Sequence, residues 1–325
     1  MKKQQGIALI TILVMVALAT ILAATIVKYQ TNTRENTDYL KRQSQAQLYA
    51  KSAESFFQEI LLNDAKNAGS VDHLNENWAK PMPAFPIDGG FLTGVLQDES
   101  GKFNINSLLK KDDSINEVAK AWFEKILVRV GLPAQLSEAV IDWQDQNDEQ
   151  SGSMGAESAY YAGLKGRGLA SNQKFYSVEE LKQVRGFEGD AYYLIEPYIT
   201  AQPKIDASVN INTTSGFLLA SMNSQLDANA IQAELDRRKQ NLQYFKSVDE
   251  LWALDSMRAL SDETKKAMAS MLGVKSNFFK LQVEVLLHER KKQFTSYLVR
   301  NNQNIYIHSR SLTPFLSPNL PKVLD

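Results

Sequence analysis

The chain of 325 residues contains no cysteine. That absence excludes disulfides, thiolate metal sites and cysteine nucleophiles, and it suits the bacterial periplasm as well as the cytosol. Histidine is nearly absent too. His73, His288 and His308 are far apart and show no metal-ligand spacing, so each reads as an ordinary surface or half-buried residue. There is no excess of one charge: 36 basic residues against 37 acidic ones leave a formal charge of -1. No basic stripe with interleaved aromatics is visible, so nucleic acid is not an expected partner. A phosphate loop of the Gly-x-x-x-x-Gly-Lys type is missing, and no nucleophile stands beside a histidine, so no enzymatic activity is expected.

Two further absences organise the start of the chain. Ile7 to Val27 has no charge, no proline and no glycine, and Tyr29 to Leu62 still lacks glycine and proline while turning polar. At about 1.5 Å per helical residue the first run can cross the ~30 Å hydrocarbon core of a bilayer. One continuous helix leaving a membrane for water is the simplest reading. A secretory signal peptide competes with it, with Lys2 and Lys3 as n-region, Ile7 to Val16 as h-region and Ala17-Leu-Ala19 as cleavage site. Against that, the apolar run continues through Thr20 to Val27. A plain signal anchor is a further option, and basic residues on both flanks leave its orientation open.

Gly6 suggests a third reading. A short basic leader ending in glycine, followed by an uncharged segment that merges into an amphipathic helix, resembles the type IV prepilin pattern. That resemblance implies cleavage by prepilin peptidase between Gly6 and Ile7, leaving a methylated amino terminus on a membrane-held helix. The fifth mature residue is then Thr11, where ordinary pilins and pseudopilins carry a glutamate that pairs with a neighbour's amino terminus. A buried carboxylate without such a partner is costly, so a chain lacking it suits a subunit with nothing above it.

Beyond the helix, Pro81-Met-Pro-Ala-Phe-Pro86 reads as an extended connector. Phe91 to Gln97 and Lys102 to Asn106, around the turn Asp98-Glu-Ser-Gly101, read as a β-hairpin. From Ser107 to about Lys275 the pattern is helical, with helices expected over Val118–Val130 and Leu136–Trp143. A repeat lies inside it. Lys102-Phe-Asn-Ile-Asn-Ser-Leu-Leu109 is similar to Ser208-Val-Asn-Ile-Asn-Thr-Thr214, and Phe175-Tyr-Ser-Val-Glu-Glu-Leu181 to Tyr244-Phe-Lys-Ser-Val-Asp-Glu-Leu251, in the same order. Two copies of one helical module are expected, over about 104–189 and 210–272, each with a capping box, Ser177/Glu180 and Ser247/Glu250. With Val184-Arg-Gly-Phe-Glu-Gly189, these helices resemble helix-hairpin-helix modules that present amides to DNA. The neutral charge and the missing glycine pair in the second copy favour protein packing instead. From Phe278 the period becomes 2: Phe279–Leu287, Gln293–Val299 and Asn304–His308 read as an antiparallel meander, and Pro314, Pro318 and Pro321 mark an irregular tail. Both ends thus contribute to one α+β domain from which the helical insert stands out.

One stretch looks like a site. Ile141-Asp-Trp-Gln-Asp-Gln-Asn-Asp-Glu149 and the loop to Tyr161 concentrate Asp142, Asp145, Asp148, Glu149 and Glu157 with Asn147. Such oxygen density suits a hard cation such as Ca²⁺, and an ordinary solvated acidic loop explains it as well. Asp145, Asn147 and Glu149 start like an EF-hand, but the sixth position is Gln150 instead of glycine and the twelfth is Ala156, with Glu157 one residue late.

Taken together, the chain resembles the minor pseudopilin K family of type II secretion systems. The resemblance rests on the leader with Thr11, the large helical insert, and Ile141-Asp-Trp-x-Asp145 with Gly155-Ala-Glu-x-x-Tyr-Tyr161. It implies a pilin-like fold: a leader at 1–6, a membrane half-helix at 7–27, the rest of the helix and the first strands over 28–106, the insert at 107–275 and closing strands at 276–325. It implies calcium held by Asp142, Asp145, Asn147, Asp148 and Glu157, with Asn147 where an aspartate is expected. It implies a single-pass protein of the bacterial inner membrane, its globular part periplasmic, that caps a pseudopilus tip with the I and J minor pseudopilins and helps start assembly. The H subunit, exported proteins and the outer-membrane secretin are further candidate contacts. Two other readings stay open: a minor pilin of a type IV pilus, which usually has a smaller insert and often a C-terminal disulfide, and a secreted calcium-dependent enzyme cut after Ala19.

Overall fold

The structure is a computed structural model describing residues 5–67, 69, 71–164, 168–288, 290–302 and 304–315. Lys2 and Lys3 of the leader, and Pro318 and Pro321 of the tail, lie outside them. With no helix breaker from Ile7 to Leu62, the chain forms one helix, α1 (Gln5–Asn67), 63 residues long. At 1.5 Å per residue it extends roughly 95 Å. Gly69, in the left-handed region at φ +81°, follows it. From Ala8 to Val27 every side chain is exposed, and this helix is long and apolar enough to cross a membrane. The Thr20 and Thr25 hydroxyls within that run donate to carbonyls four residues back, which hides their polarity inside the helix.

Farther along, one face of α1 is buried: Ala46, Ala50, Ala53, Phe57 and Leu61, spaced by three or four residues. They pack on Leu92, Leu96, Leu281, Val283, Val285 and Leu298 of a five-stranded antiparallel sheet. Its strands are β1 (Met82–Ile87) and β2 (Gly90–Asp98), followed after the insert by three more named below. The small alanines bring the helix axis close to the sheet. Gly94 makes room for Phe57, since a Cβ there would stand 2.7 Å from the ring.

The proline-rich stretch is therefore a strand and not a mere connector. Asp88-Gly89 turns β1 back onto β2, and β1 is an edge of the sheet with an irregular register, where prolines without an N–H are tolerated. The hairpin expected between Phe91–Gln97 and Lys102–Asn106 does not form. Instead β3 (Phe103–Asn104) leaves the sheet and pairs in parallel with β4 (Ile199–Thr200), and Phe103 and Ile105 join the core of the insert.

Between β3 and β4 run α2 (Glu117–Arg129), α3 (Leu136–Gln144), α4 (Ser158–Ala162) and α5 (Asp190–Ile195). A second unit follows: β5 (Val209–Asn210), α6 (Gly216–Ala220), α7 (Ala228–Gln240), α8 (Val248–Trp252), α9 (Asp262–Met268) and β6 (Leu272–Gly273), with β5 and β6 paired in parallel. One buried cluster spans both units and is separate from that under α1. Ser177 and Glu180 form their capping box, though over a 3-10 turn. Ser247 caps nothing with its side chain, and Glu250 accepts the Lys246 amide and lies 3.6 Å from Arg238.

The sheet is completed by β7 (Phe278–Leu287), β8 (Arg290–Asn301) and β9 (Asn304–Ser311), in the order β1-β2-β7-β8-β9. A polar junction ties insert to stem. Asp98, at the end of β2, accepts from Thr213 Oγ1 at 2.5 Å and from the Ser276 hydroxyl just before β7. Arg300 on β8 donates to Asp64 at the end of α1 at 2.9 Å, to Asp72, and to the Ser276 carbonyl at 2.6 Å.

Candidate metal centre

Helix α3 carries Asp142 on its last turn and ends at Asp145, which serves as its C-cap. The loop that follows returns to place Glu157 at the N-cap of α4, where its side chain caps nothing. Asp142, Asp145 and Glu157 are all buried and each offers a carboxylate oxygen, all within 4.8 Å of one another. Oxygens that share one calcium at 2.3–2.6 Å stand no more than about 5 Å apart. Asp145 Oδ1 and both Glu157 oxygens are shielded from solvent and have no hydrogen-bond partner among the described residues. Buried unpaired carboxylate oxygens are costly, and an all-oxygen set of this kind fits a hard divalent cation.

Electrostatics agree with the geometry. Burial, then the charges of Asp142 and Asp113, push Asp145 up to about 6. Burial, then Asp142, Asp145 and Asp148, push Glu157 up to about 7. Asp142 is also raised by burial, although the Ser151 amide, 3.1 Å from Oδ1, opposes this. Among the described residues no lysine or arginine ion-pairs with the three, and Lys174, which feels Asp145, is paired with Asp113 at 3.6 Å.

A second trio, Asp64, Asp72 and Glu76, is as tightly grouped but differs in one respect. The Arg300 guanidinium binds two of its members, so the protein supplies that cation itself.

The loop between Asp145 and Glu157 is held just before Glu157. Glu138 Oε2 accepts the Met154 amide at 2.7 Å, and Arg185 Nη1 donates to the Gly155 carbonyl at 3.0 Å. Gly155 has no room for a side chain, since a Cβ would lie 2.4 Å from both Asp142 Oδ2 and the Ser151 carbonyl oxygen. Glu138 was not singled out in the sequence; its position four residues before Asp142, on the same helix face, is the signal that identifies it.

The other expected ligands are placed differently. Asn147 is exposed, its Oδ1 accepting the Glu149 amide at 2.7 Å, and Asp148 is exposed and outside the buried trio. Gly6 and Ile7 lie in the first turn of α1, described by backbone alone. Thr11 is exposed on α1, and its hydroxyl donates to the Ala8 carbonyl at 2.9 Å. The hairpin that resembles a DNA-backbone binder is closed on itself: the Gly186 amide, which a phosphate would need, donates to Glu188 Oε2 at 2.9 Å.

Two family models, both described as type II secretion system protein K, match residues 101–204 and 209–275. A type II secretion system protein K from Pseudomonas aeruginosa is 32% identical over 312 residues, covering 91% of this chain and 89% of that protein. The chain belongs to the type II secretion system protein K family. Its counterpart from Aeromonas hydrophila is 29% identical over 96% of this chain and 97% of its own. A chain in the crystal structure of the GspK-GspI-GspJ complex from enterotoxigenic Escherichia coli shares the fold, with a TM-score of 0.73, 23% identity and coverage of 87% of this chain and all of that one. Protein K of this family is a component of type II secretion.

Proposed function

We propose that this protein is a non-enzymatic minor pseudopilin that caps the tip of the type II secretion pseudopilus and helps start its assembly. It is anchored in the inner membrane by α1, with its body in the periplasm. The observation that carries this reading is Thr11. The apolar half of α1 is exposed along its length, as a subunit packed among other helices requires, yet its fifth position after Gly6 holds a hydroxyl bonded to its own helix. Nothing there seeks a charged terminus from a subunit above. The solved neighbour is a complex with I and J subunits, and we assign the same partners to this chain. Prepilin peptidase is the processing enzyme this reading requires.

Calcium belongs to the same proposal. Asp142, Asp145 and Glu157 would hold the ion, with Asn147 and Asp148 at the exposed rim, and it would neutralise the charge that they bring together. Its role here is structural, pinning the 145–157 loop to α3. Two measurements test the reading. Terminal sequencing of the mature protein is expected to begin at Ile7, methylated; a start at Thr20 overturns it in favour of a secreted protein. Full-length protein in detergent is expected to co-purify with I and J minor pseudopilins, and failure to do so removes the tip assignment.

A further inference from the structure

The membrane-facing end of the wedge between α1 and the sheet is lined with cations. Along β8 the residues facing α1 alternate: Leu298 is in the core, Ser296 bonds Glu54, and Phe294 packs against the same core. The face then continues as Lys292 and Arg290. Lys292 Nζ lies 5.8 Å from the Tyr39 ring centroid of α1. There a cavity of about 410 Å³ opens, lined by Tyr39, Arg42, Leu287, Arg290, Lys291 and Lys292 among others.

Lys291, which alternation directs to the opposite face, pairs with Glu284 at 2.9 Å. Arg42, Arg290 and Lys292 have no ion pair among the described residues, and Arg42 Nε is shielded without a hydrogen-bond partner. About three turns higher along α1 the same wedge is balanced, with Arg310 on Glu54 at 2.8 Å. Arg42, Arg290 and Lys292 border one space, so this mouth presents a positive surface that favours an anionic partner.

Two sources of anion differ in reach. Arg42 stands fifteen residues past Val27, which along a helix is about 22 Å above the apolar segment, whereas the headgroup layer is only about 5–8 Å deep. A lipid surface therefore falls short. A helix that leaves the same membrane alongside α1 passes the mouth at this height.

We propose that the Arg42–Arg290–Lys292 mouth docks an acidic helical segment of a neighbouring pseudopilin; this rests on the tip-subunit reading above. The test uses the full-length protein in detergent and purified I and J minor pseudopilins as probe. The double variant Arg290→Glu/Lys292→Glu is expected to bind about tenfold or more weakly at low salt and to lose the salt dependence that the unaltered protein shows. Arg290→Gln/Lys292→Gln, a milder change, is expected to fall between, with an unchanged melting temperature separating lost docking from lost folding. Binding of the Glu variant as tight and as salt-sensitive as that of the unaltered protein overturns the proposal while leaving the function intact. Loss of a preference for micelles doped with phosphatidylglycerol over purely zwitterionic ones, with subunit binding unchanged, assigns the mouth to lipid and overturns it too. If the unaltered protein does not bind the subunits at all, the tip reading falls, and this proposal with it.

Discussion

Asn106 grips the backbone of Phe175 from both sides, its Oδ1 accepting the Phe175 amide at 2.8 Å and its Nδ2 donating to the Phe175 carbonyl at 2.9 Å. The second unit repeats the grip: Asn212 Oδ1 accepts the Phe245 amide at 2.7 Å and Nδ2 donates to its carbonyl at 3.0 Å. In both, the preceding asparagine, Asn104 or Asn210, accepts the amide of the gripping one. One planar side chain thus replaces a strand pairing, fastening a loop to the start of each unit across 69 or 33 residues.

Asn106→Ala leaves the buried Phe175 amide and the buried carbonyls of Phe175 and Gln202 without their partner, each costing about 1–3 kcal/mol, so a loss of at least about 3 kcal/mol in urea denaturation is expected. Asn212 is partly exposed, and water can substitute there, so Asn212→Ala is expected to lose less than half as much. Equal losses at the two positions would show that the grip is not what matters.

The repeat behind that pairing was visible in the sequence as two Asn-x-Asn motifs followed by two aromatic-x-Ser-Val patterns in the same order, but the contact between them was not. The long helix and the β7–β9 meander were equally legible, since uninterrupted periods of 3.6 and 2 leave little choice. Lys102–Asn106 misled because β-type residues look alike in a long antiparallel strand and a two-residue parallel bridge. The prolines of β1 misled because their tolerance depends on that strand being an edge, which only the assembled sheet decides. Of the acidic site, Asp142, Asp145 and Glu157 could be proposed together because one loop joins them. The Arg300 junction could not, since 236 residues separate Arg300 from Asp64.

Gly155 offers a test of the metal site that replaces none of its ligands. Gly155→Ala places a Cβ 2.4 Å from Asp142 Oδ2 and the Ser151 carbonyl, so the loop must shift. Calcium binding, followed by isothermal titration, is expected to weaken about tenfold or more, in line with losses on disturbing groups behind metal ligands. Gly163→Ala is the control, because its nearest contact would be an ordinary 3.4 Å. Comparable weakening in both variants defeats the argument.

Protons and calcium should compete at the trio. With no ion, folded-state values raised to about 6 for Asp145 and about 7 for Glu157 mean that the folded protein binds more protons than the unfolded chain between about pH 4 and 7. The ion-free protein therefore gains stability as pH falls through that window. The calcium-bound form needs both carboxylates ionised and loses its advantage over the same window. The melting-temperature gap between calcium and chelator is expected to be widest above pH 7 and nearly closed at pH 5. Asp145→Ala should close it at every pH; a gap that persists in that variant or at pH 5 excludes the trio as the site.

At the junction the internal cation can be removed. Arg300→Gln leaves Asp64 and Asp72 buried without their guanidinium, and breaking a buried pair on one side costs about 3–5 kcal/mol. The direction with pH follows from Asp64. Burial and then the charges of Glu76 and Asp72 already raise it to about 6 against the pull of Arg300, and removing that pull raises it further. A raised carboxylate disfavours folding most where it must be ionised, so the variant is expected to lose more stability at pH 8 than at pH 5. Guanidinium chloride denaturation at the two values distinguishes this from a packing defect, which would cost the same at both. Because Arg300 also donates to the Ser276 carbonyl next to the end of the insert, the variant should release the β7 end of the junction before the sheet itself. Faster amide exchange at Asn277 and Phe278, whose amides bond Ser100 Oγ at 2.9 and 3.1 Å, than at Val283 in mid-strand would report that order.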